Sequence, residues 1–244
     1  MNINSRIKQL LKTSLVAIVV MTSGLSAMAQ TFDASNITFG GINMPYRVAH
    51  TIGMGEPLLV IYLHGGTSKG NDNERQMGEP GIDSIANYIK QQQMEAYFLV
   101  PQCPSDKSWG GPMLSVLKAL IDKYVKEGVA DKNSVYIFGG SMGGTGTWDL
   151  ALAYPDVFSR IAPMSGSVDT TPETLSILKN TPVWAFVGED DVVVKPESSE
   201  RLLAGLEQQN ADARITVFPE TDHVGVPQKA WLEHGSELLD WLLA

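Results

Sequence analysis

Val135-Tyr136-Ile137-Phe138-Gly139-Gly140-Ser141-Met142-Gly143 is the stretch on which the reading of this chain turns. Its first four residues are an apolar, β-prone run, and residues 144–154 have the character of a helix. A serine at a sharp strand-to-helix turn forms a nucleophile elbow, its hydroxyl exposed above the sheet and a helix N-terminus beneath it. Gly139 and Gly143 let the backbone turn tightly and let the helix approach its neighbours without a Cβ clash. The pentapeptide alone is weak evidence, because a chain with 23 glycines contains such patterns as ordinary turns. The flanking strand and helix give it weight, and the chemistry it nominates is acyl transfer through a covalent serine intermediate.

Outward from the elbow, strand-like and helix-like runs alternate. Residues 46–49 suit an early antiparallel strand, and 58–63 form a continuous apolar run expected of a strand buried on both faces. A helix over 82–92 and a strand over 96–100 follow. Pro112 opens the next helix, with Leu114, Leu117, Ile121 and Tyr124 on one face and Gly128 as its stop. After the elbow helix (142–154) come a strand at 160–164, a short helix at 172–179 and an apolar strand at 183–187. A helix at 198–208, a strand at 214–218 and an amphipathic helix at 228–243 complete the series. The pattern predicts an α/β fold, a mainly parallel central sheet with helices on both faces. Ligands then bind outside the carboxyl ends of the strands, where the elbow serine sits.

Residues 1–29 read as an export signal peptide. Arg6, Lys8 and Lys12 precede a short apolar stretch, and Ala27-Met28-Ala29 is an A-x-A cleavage signature. The apolar stretch is shorter than the ~20 residues that span a bilayer, and no cysteine near the cleavage point offers a lipid site. The expectation is an exported bacterial protein, periplasmic or secreted and without a membrane anchor, whose domain occupies residues 30–244. Loss of the leader removes three positive charges and no negative ones, taking the net charge from −9 to −12. Such acidity disfavours nucleic acid and anionic membrane as partners. Cys103 is the single cysteine, so no internal disulfide exists, and it reads as a small buried apolar residue. No His/Cys/Asp cluster has metal-ligand spacing, so neither a metal nor an organic cofactor is expected.

A serine nucleophile needs a base, and the base needs an orienting acid. Of the four histidines, His50 lies in an early strand region, His64 begins a glycine turn and His234 falls inside the last helix. His223, just past the strand at 214–218, is the candidate base. For the acid, Asp191 follows the strand at 183–187, and Val192-Val193-Val194 could anchor its loop. The adjacent Asp190 and the earlier Asp169 remain alternatives at this point. The oxyanion of acyl transfer needs two backbone donors. Met142 supplies one at the start of the elbow helix; Gly66, or else Thr67, supplies the other from the turn His64-Gly65-Gly66-Thr67. Thr67 and Trp109 are candidate substrate contacts, and Trp109 reads equally as a core aromatic. Asp72 and Glu74, near the glycine turn, read as solvated loop residues.

The chain resembles the α/β-hydrolase superfamily, in particular exported esterases related to feruloyl and acetylxylan esterases, polyhydroxybutyrate depolymerases and "predicted peptidases". The resemblance covers nearly all of residues 40–244 and rests on Tyr62-Leu63-His64-Gly65-Gly66, Gly70-Asn71-Asp72-Asn73, Val100-Pro101-Gln102-Cys103-Pro104 with Trp109, and Gly140-Ser141-Met142-Gly143-Gly144. It continues through Tyr154-Pro155-Asp156-Val157-Phe158, Gly188-Glu189-Asp190-Asp191 and Asp222-His223. In relatives the acid falls three residues after the strand-end glycine, which favours Asp191 over Asp190. Relatives often place a bulky residue shortly after the histidine, where this chain has Val224-Gly225-Val226. No inter-strand stretch is long enough for a large helical cap, so an open, shallow site is expected. The function implied is a serine carboxylic-ester hydrolase on a small-molecule or polysaccharide-linked ester, acetyl or feruloyl groups being candidates. A serine peptidase with the same triad, and a catalytically silent hydrolase-fold binding module, are the rival readings.

Overall fold

Eight strands form one sheet: β1 (Asp33–Phe39), β2 (Ile42–Thr51), β3 (Met54–Leu63), β4 (Met94–Pro101), β5 (Val135–Gly140), β6 (Arg160–Met164), β7 (Val183–Gly188) and β8 (Ala213–Phe218). This computed structural model describes residues 30–244, and the signal peptide expected at 1–29 lies outside the described residues. Across the sheet the order is β1-β2-β4-β3-β5-β6-β7-β8. Strand β2 runs antiparallel to β1 and β4, and the pairs from β4 through β8 are parallel. The helices are α1 (Ile82–Gln91), α2 (Pro112–Lys126), α3 (Met142–Ala153), the single turn α4 (Pro172–Leu175), α5 (Pro196–Glu207) and α6 (Gly225–Leu242). No helix among the described residues is long and apolar enough to cross a membrane.

The unbroken apolar runs of β3 and β5 follow from period-two geometry in a sheet covered on both sides. Leu59, Ile61 and Leu63 face one core, with Val135 and Ile137 of β5 and residues of α2, α3 and α5. Val60 and Tyr62 face the other, with Tyr136 and Phe138 of β5 and residues of α1 and α6. Each fully buried side chain of this kind contributes about 1.5–3 kcal/mol.

Differences from the expected elements have local causes. Strand β1 was not anticipated: it is an edge strand whose residues are mostly exposed, so it carries no buried alternation. It pairs with β2 through Gly40 (φ +57°) and Gly41 (φ +78°), a two-residue turn that needs positive φ at both positions. The buried face of α2 comprises Met113, Val116, Leu117, Leu120, Ile121 and Tyr124, so Leu114 lies at the margin of the stripe rather than within it. Gly128 does end α2, at φ +71°: its amide donates to the Val125 carbonyl and that of Val129 to Tyr124, a Schellman closure. Helices α5 and α6 begin earlier than expected, because Pro196 and Pro227 lie in their first turns, where a missing N–H costs nothing.

Candidate active site

The elbow's strain sits on the serine itself. Ser141 has φ +56° and ψ −117°, a conformation that costs a non-glycine residue on the order of 1–3 kcal/mol. Its neighbours hold it there: the Ser141 amide donates to the Met164 carbonyl at 2.9 Å, and its carbonyl accepts from Thr145 N–H at 3.0 Å. The flanking glycines supply close approach rather than the turn. A Cβ on Gly143 would lie 1.9 Å from the Leu63 carbonyl oxygen, and one on Gly139 would lie 2.5 Å from the same atom. Helix α3 therefore starts hard against the end of β3, directing its N-terminal amides toward the carboxyl edge of the sheet.

Two loops at that edge bring up a histidine and an acid. Ser141 Oγ lies 2.6 Å from His223 Nε2, and His223 Nδ1 lies 2.8 Å from Asp191 Oδ2. Asp191 is 2% exposed, and its other oxygen accepts the amides of Val193 (2.9 Å) and Val194 (2.8 Å). A carboxylate only accepts, so Nδ1 carries the imidazole proton and Nε2 faces the serine hydroxyl as an acceptor. The loops are tied together: Glu189 N–H donates to the Phe218 carbonyl at 3.0 Å and Asp190 N–H to that of Thr221 at 3.0 Å. Asp190 and Asp169 have exposed side chains, and Asp191 is the acid brought to the ring. Asp222 accepts the Gly225 amide at 2.9 Å, fixing the start of α6 directly after His223.

On the other side of Ser141 stands the loop after β3. Gly66 opens a 3-10 turn, Gly66–Ser68, and Gly66 and Thr67 are exposed and line a cleft of about 410 Å³ together with Ser141 and His223. Met142 is the first residue of α3, so its amide has no acceptor within the helix. Behind the loop His64 is fully buried; its Nε2 accepts the Cys103 amide at 2.9 Å and its Nδ1 lies 2.6 Å from the Gly65 carbonyl. Since Nε2 accepts, Nδ1 donates, and the ring is neutral. Burial, reinforced by nearby Lys69, pushes the His64 pKa down to about 4. Cys103 is buried as expected, and burial pushes its thiol up to about 12.

Trp109 requires a correction. It is 1% exposed, packs edge-on against His64 and donates its indole N–H to the His64 carbonyl at 2.9 Å. It therefore supports the loop from beneath and is not part of the cleft wall. Asp72 is likewise a fastener: it accepts from Gln102 Nε2 (2.7 Å) and from the amides of Glu74 (2.9 Å) and Arg75 (3.2 Å). These bonds, that to Gln102 foremost, bring its carboxyl down to about 2. Asn73, at φ +57°, takes the Gln102 side-chain oxygen on its amide and donates to the carbonyls of Ser35 and Tyr46. Glu79 was missed. It lines the cleft from a segment with no motif, and only the fold brings it there.

No large cap is found among the described residues. Between β6 and β7 lie only α4 and the 3-10 turn Ser176–Leu178. Val224, 67% exposed, forms part of the rim where relatives were expected to carry bulk.

The described fold has known counterparts. A structure of a thermostable esterase superposes with a TM-score of 0.78 at 30% identity, covering 86% of this chain and 62% of that one. Carboxylesterase SOBER1 of Arabidopsis thaliana is 29% identical over 140 residues, 53% of this chain and 61% of its own. The chain thus spans less than two thirds of the length of either protein. A ferulic acid esterase, at 11% identity and a TM-score of 0.68 over 88% of this chain and 99% of its own, shares the fold. Residues 90–230, more than half of the chain and including the elbow and both partner loops, match the Dienelactone hydrolase family, and to that family of α/β-hydrolases this chain belongs.

Proposed function

We propose that this chain is a serine carboxylic-ester hydrolase in which Ser141, His223 and Asp191 act as nucleophile, base and acid. The observation that carries this is the continuous line from Ser141 Oγ through the imidazole to a buried carboxylate, at 2.6 and 2.8 Å, with that carboxylate fixed by two amides. Ser141 attacks the ester carbonyl as His223 Nε2 takes its proton; Asp191 orients the ring and stabilises the imidazolium. The amides of Met142 and Gly66 receive the oxyanion of the tetrahedral intermediate. His223 then protonates the departing alcohol and activates the water that releases the acid. The similarity to a carboxylesterase and to a thermostable esterase supports an ester substrate. A cleft of about 410 Å³ with an exposed rim at Gly66, Thr67 and Val224 suits a small acyl group borne on a larger alcohol, such as acetylated or feruloylated polysaccharide. Export to the periplasm or medium, proposed from residues 1–29, would place the enzyme with such polymers.

The test is labelling by a fluorophosphonate together with hydrolysis of p-nitrophenyl acetate. Both are expected in the wild type and both are expected to vanish in Ser141→Ala. Labelling that persists in the variant moves the nucleophile elsewhere, and a wild type inert to both reagents is a silent fold.

A further inference from the structure

The triad leaves one charged side chain of the cleft without a task. Glu79 lies just after the 3-10 turn Arg75–Gly78 and borders the same cleft as His223, Val224 and Pro227. Its Oε1 accepts the Gly65 amide at 3.2 Å and the Ser68 hydroxyl at 2.5 Å, so the carboxylate is held by the loop that also carries Gly66. A methyl group built on Gly65 would lie 3.8 Å from that oxygen and 3.7 Å from Ser141 Cβ, so the carboxylate and the elbow flank the same glycine. Among the described residues lining the cleft there is no Lys or Arg.

A fixed charge bordering a cleft sets the local potential, and like charges brought into the same cleft repel. A substrate carboxylate entering here meets Glu79 and finds no cation to offset it. Thr67 and Gln228, also in the lining, are polar but carry no positive charge. On the basis of the ester-hydrolase activity above, we propose that Glu79 determines the substrate class: it rejects esters carrying a negative charge beside the scissile bond and admits uncharged ones. Glu79 thereby has two roles, fixing the Gly65–Ser68 loop through hydrogen bonds and filtering substrates through charge. Replacement by glutamine separates them, because an amide oxygen still accepts from Gly65 N–H and Ser68 O–H while the charge is gone.

The experiment compares kcat/KM for two matched pairs, corrected for spontaneous hydrolysis. One pair is p-nitrophenyl methyl succinate against p-nitrophenyl hydrogen succinate, with the charge on the acyl side. The other is methyl 4-acetoxybenzoate against 4-acetoxybenzoate, with the charge on the leaving group. In the wild type the neutral member is expected to be favoured about ten-fold in at least one pair, with the preference shrinking as salt is raised. In Glu79→Gln that ratio is expected to approach one while the neutral ester loses only a few-fold. A wild-type ratio near one in both pairs overturns the proposal without needing any variant. So does a variant in which both members fall together, since loop support alone produces that result. Absence of hydrolysis of the neutral esters, with no fluorophosphonate labelling, would instead refute the ester-hydrolase activity itself.

Discussion

At the scale of the residue, adjacent positions with identical side chains have opposite fates. Asp190 and Asp191 are both acids after the same strand, yet Asp190 is exposed and Asp191 is buried against His223 Nδ1. The difference is the turn of the loop, closed by the Asp191 amide on the Gly188 carbonyl at 3.2 Å and the Asp190 amide on Thr221. Asp191→Asn is expected to lower kcat for p-nitrophenyl acetate by on the order of 10³-fold or more, because the amide can present a donor to Nδ1 and favour the wrong tautomer. Asp190→Asn is expected to stay within about two-fold of wild type, as is usual for an exposed side chain away from the chemistry. Steady-state rates on the two variants decide it, and a larger loss at Asp190 would displace Asp191 from the mechanism. Here the residue pattern alone left three acids open, Asp169, Asp190 and Asp191; a family spacing favoured Asp191 over Asp190, and the fold brought Asp191 to the ring.

At the scale of the element, helix α3 shows how a motif becomes a geometry. The helix can begin against β3 only because Gly143 lacks a side chain, its virtual Cβ overlapping the Leu63 carbonyl oxygen at 1.9 Å. Gly143→Ala is expected to lower the denaturation free energy by about 3 kcal/mol or more, or to abolish soluble expression, since a backbone atom cannot yield as a side chain can. Gly66→Ala, with nothing within 4 Å of the added methyl, is expected to shift stability by less than about 0.5 kcal/mol. Urea titrations of both variants test the contrast, and equal midpoints would contradict it. Most elements were legible because they are buried on both faces or amphipathic, as β3, β5, β7 and α2 are. Strand β1 was not, since its edge position leaves it mostly exposed and its one clear signal was Gly40-Gly41.

At the scale of the whole molecule, the buried His64 couples acid stability to the loop behind the cleft. Its folded pKa of about 4 lies below the ordinary value of 6.5, so between those limits the unfolded chain binds a proton that the folded one refuses. Stability from this group is full above pH 6.5 and is lost as the pH falls toward 4, by about 3 kcal/mol at most. Melting temperatures across that window are expected to fall more steeply for the wild type than for His64→Gln, which has no proton to gain. Parallel curves would show that His64 is not the group responsible.

The sequence by itself determined the alternation of elements, the sheet buried on both faces, the elbow at Ser141 and His223 as its candidate partner. Those features are written in periodicity and in local turn chemistry, which depend on neighbours a few residues away. Only the tertiary structure decided that Asp191 reaches the ring, that Trp109 and Asp72 are supports, and that Glu79 stands in the cleft. Each of those depends on contacts between segments far apart in the chain: His64 with Trp109, Asp72 with Gln102, Gly65 with Glu79. Burial and hydrogen bonding of that kind are properties of the packed loops, and no local pattern of residues encodes them.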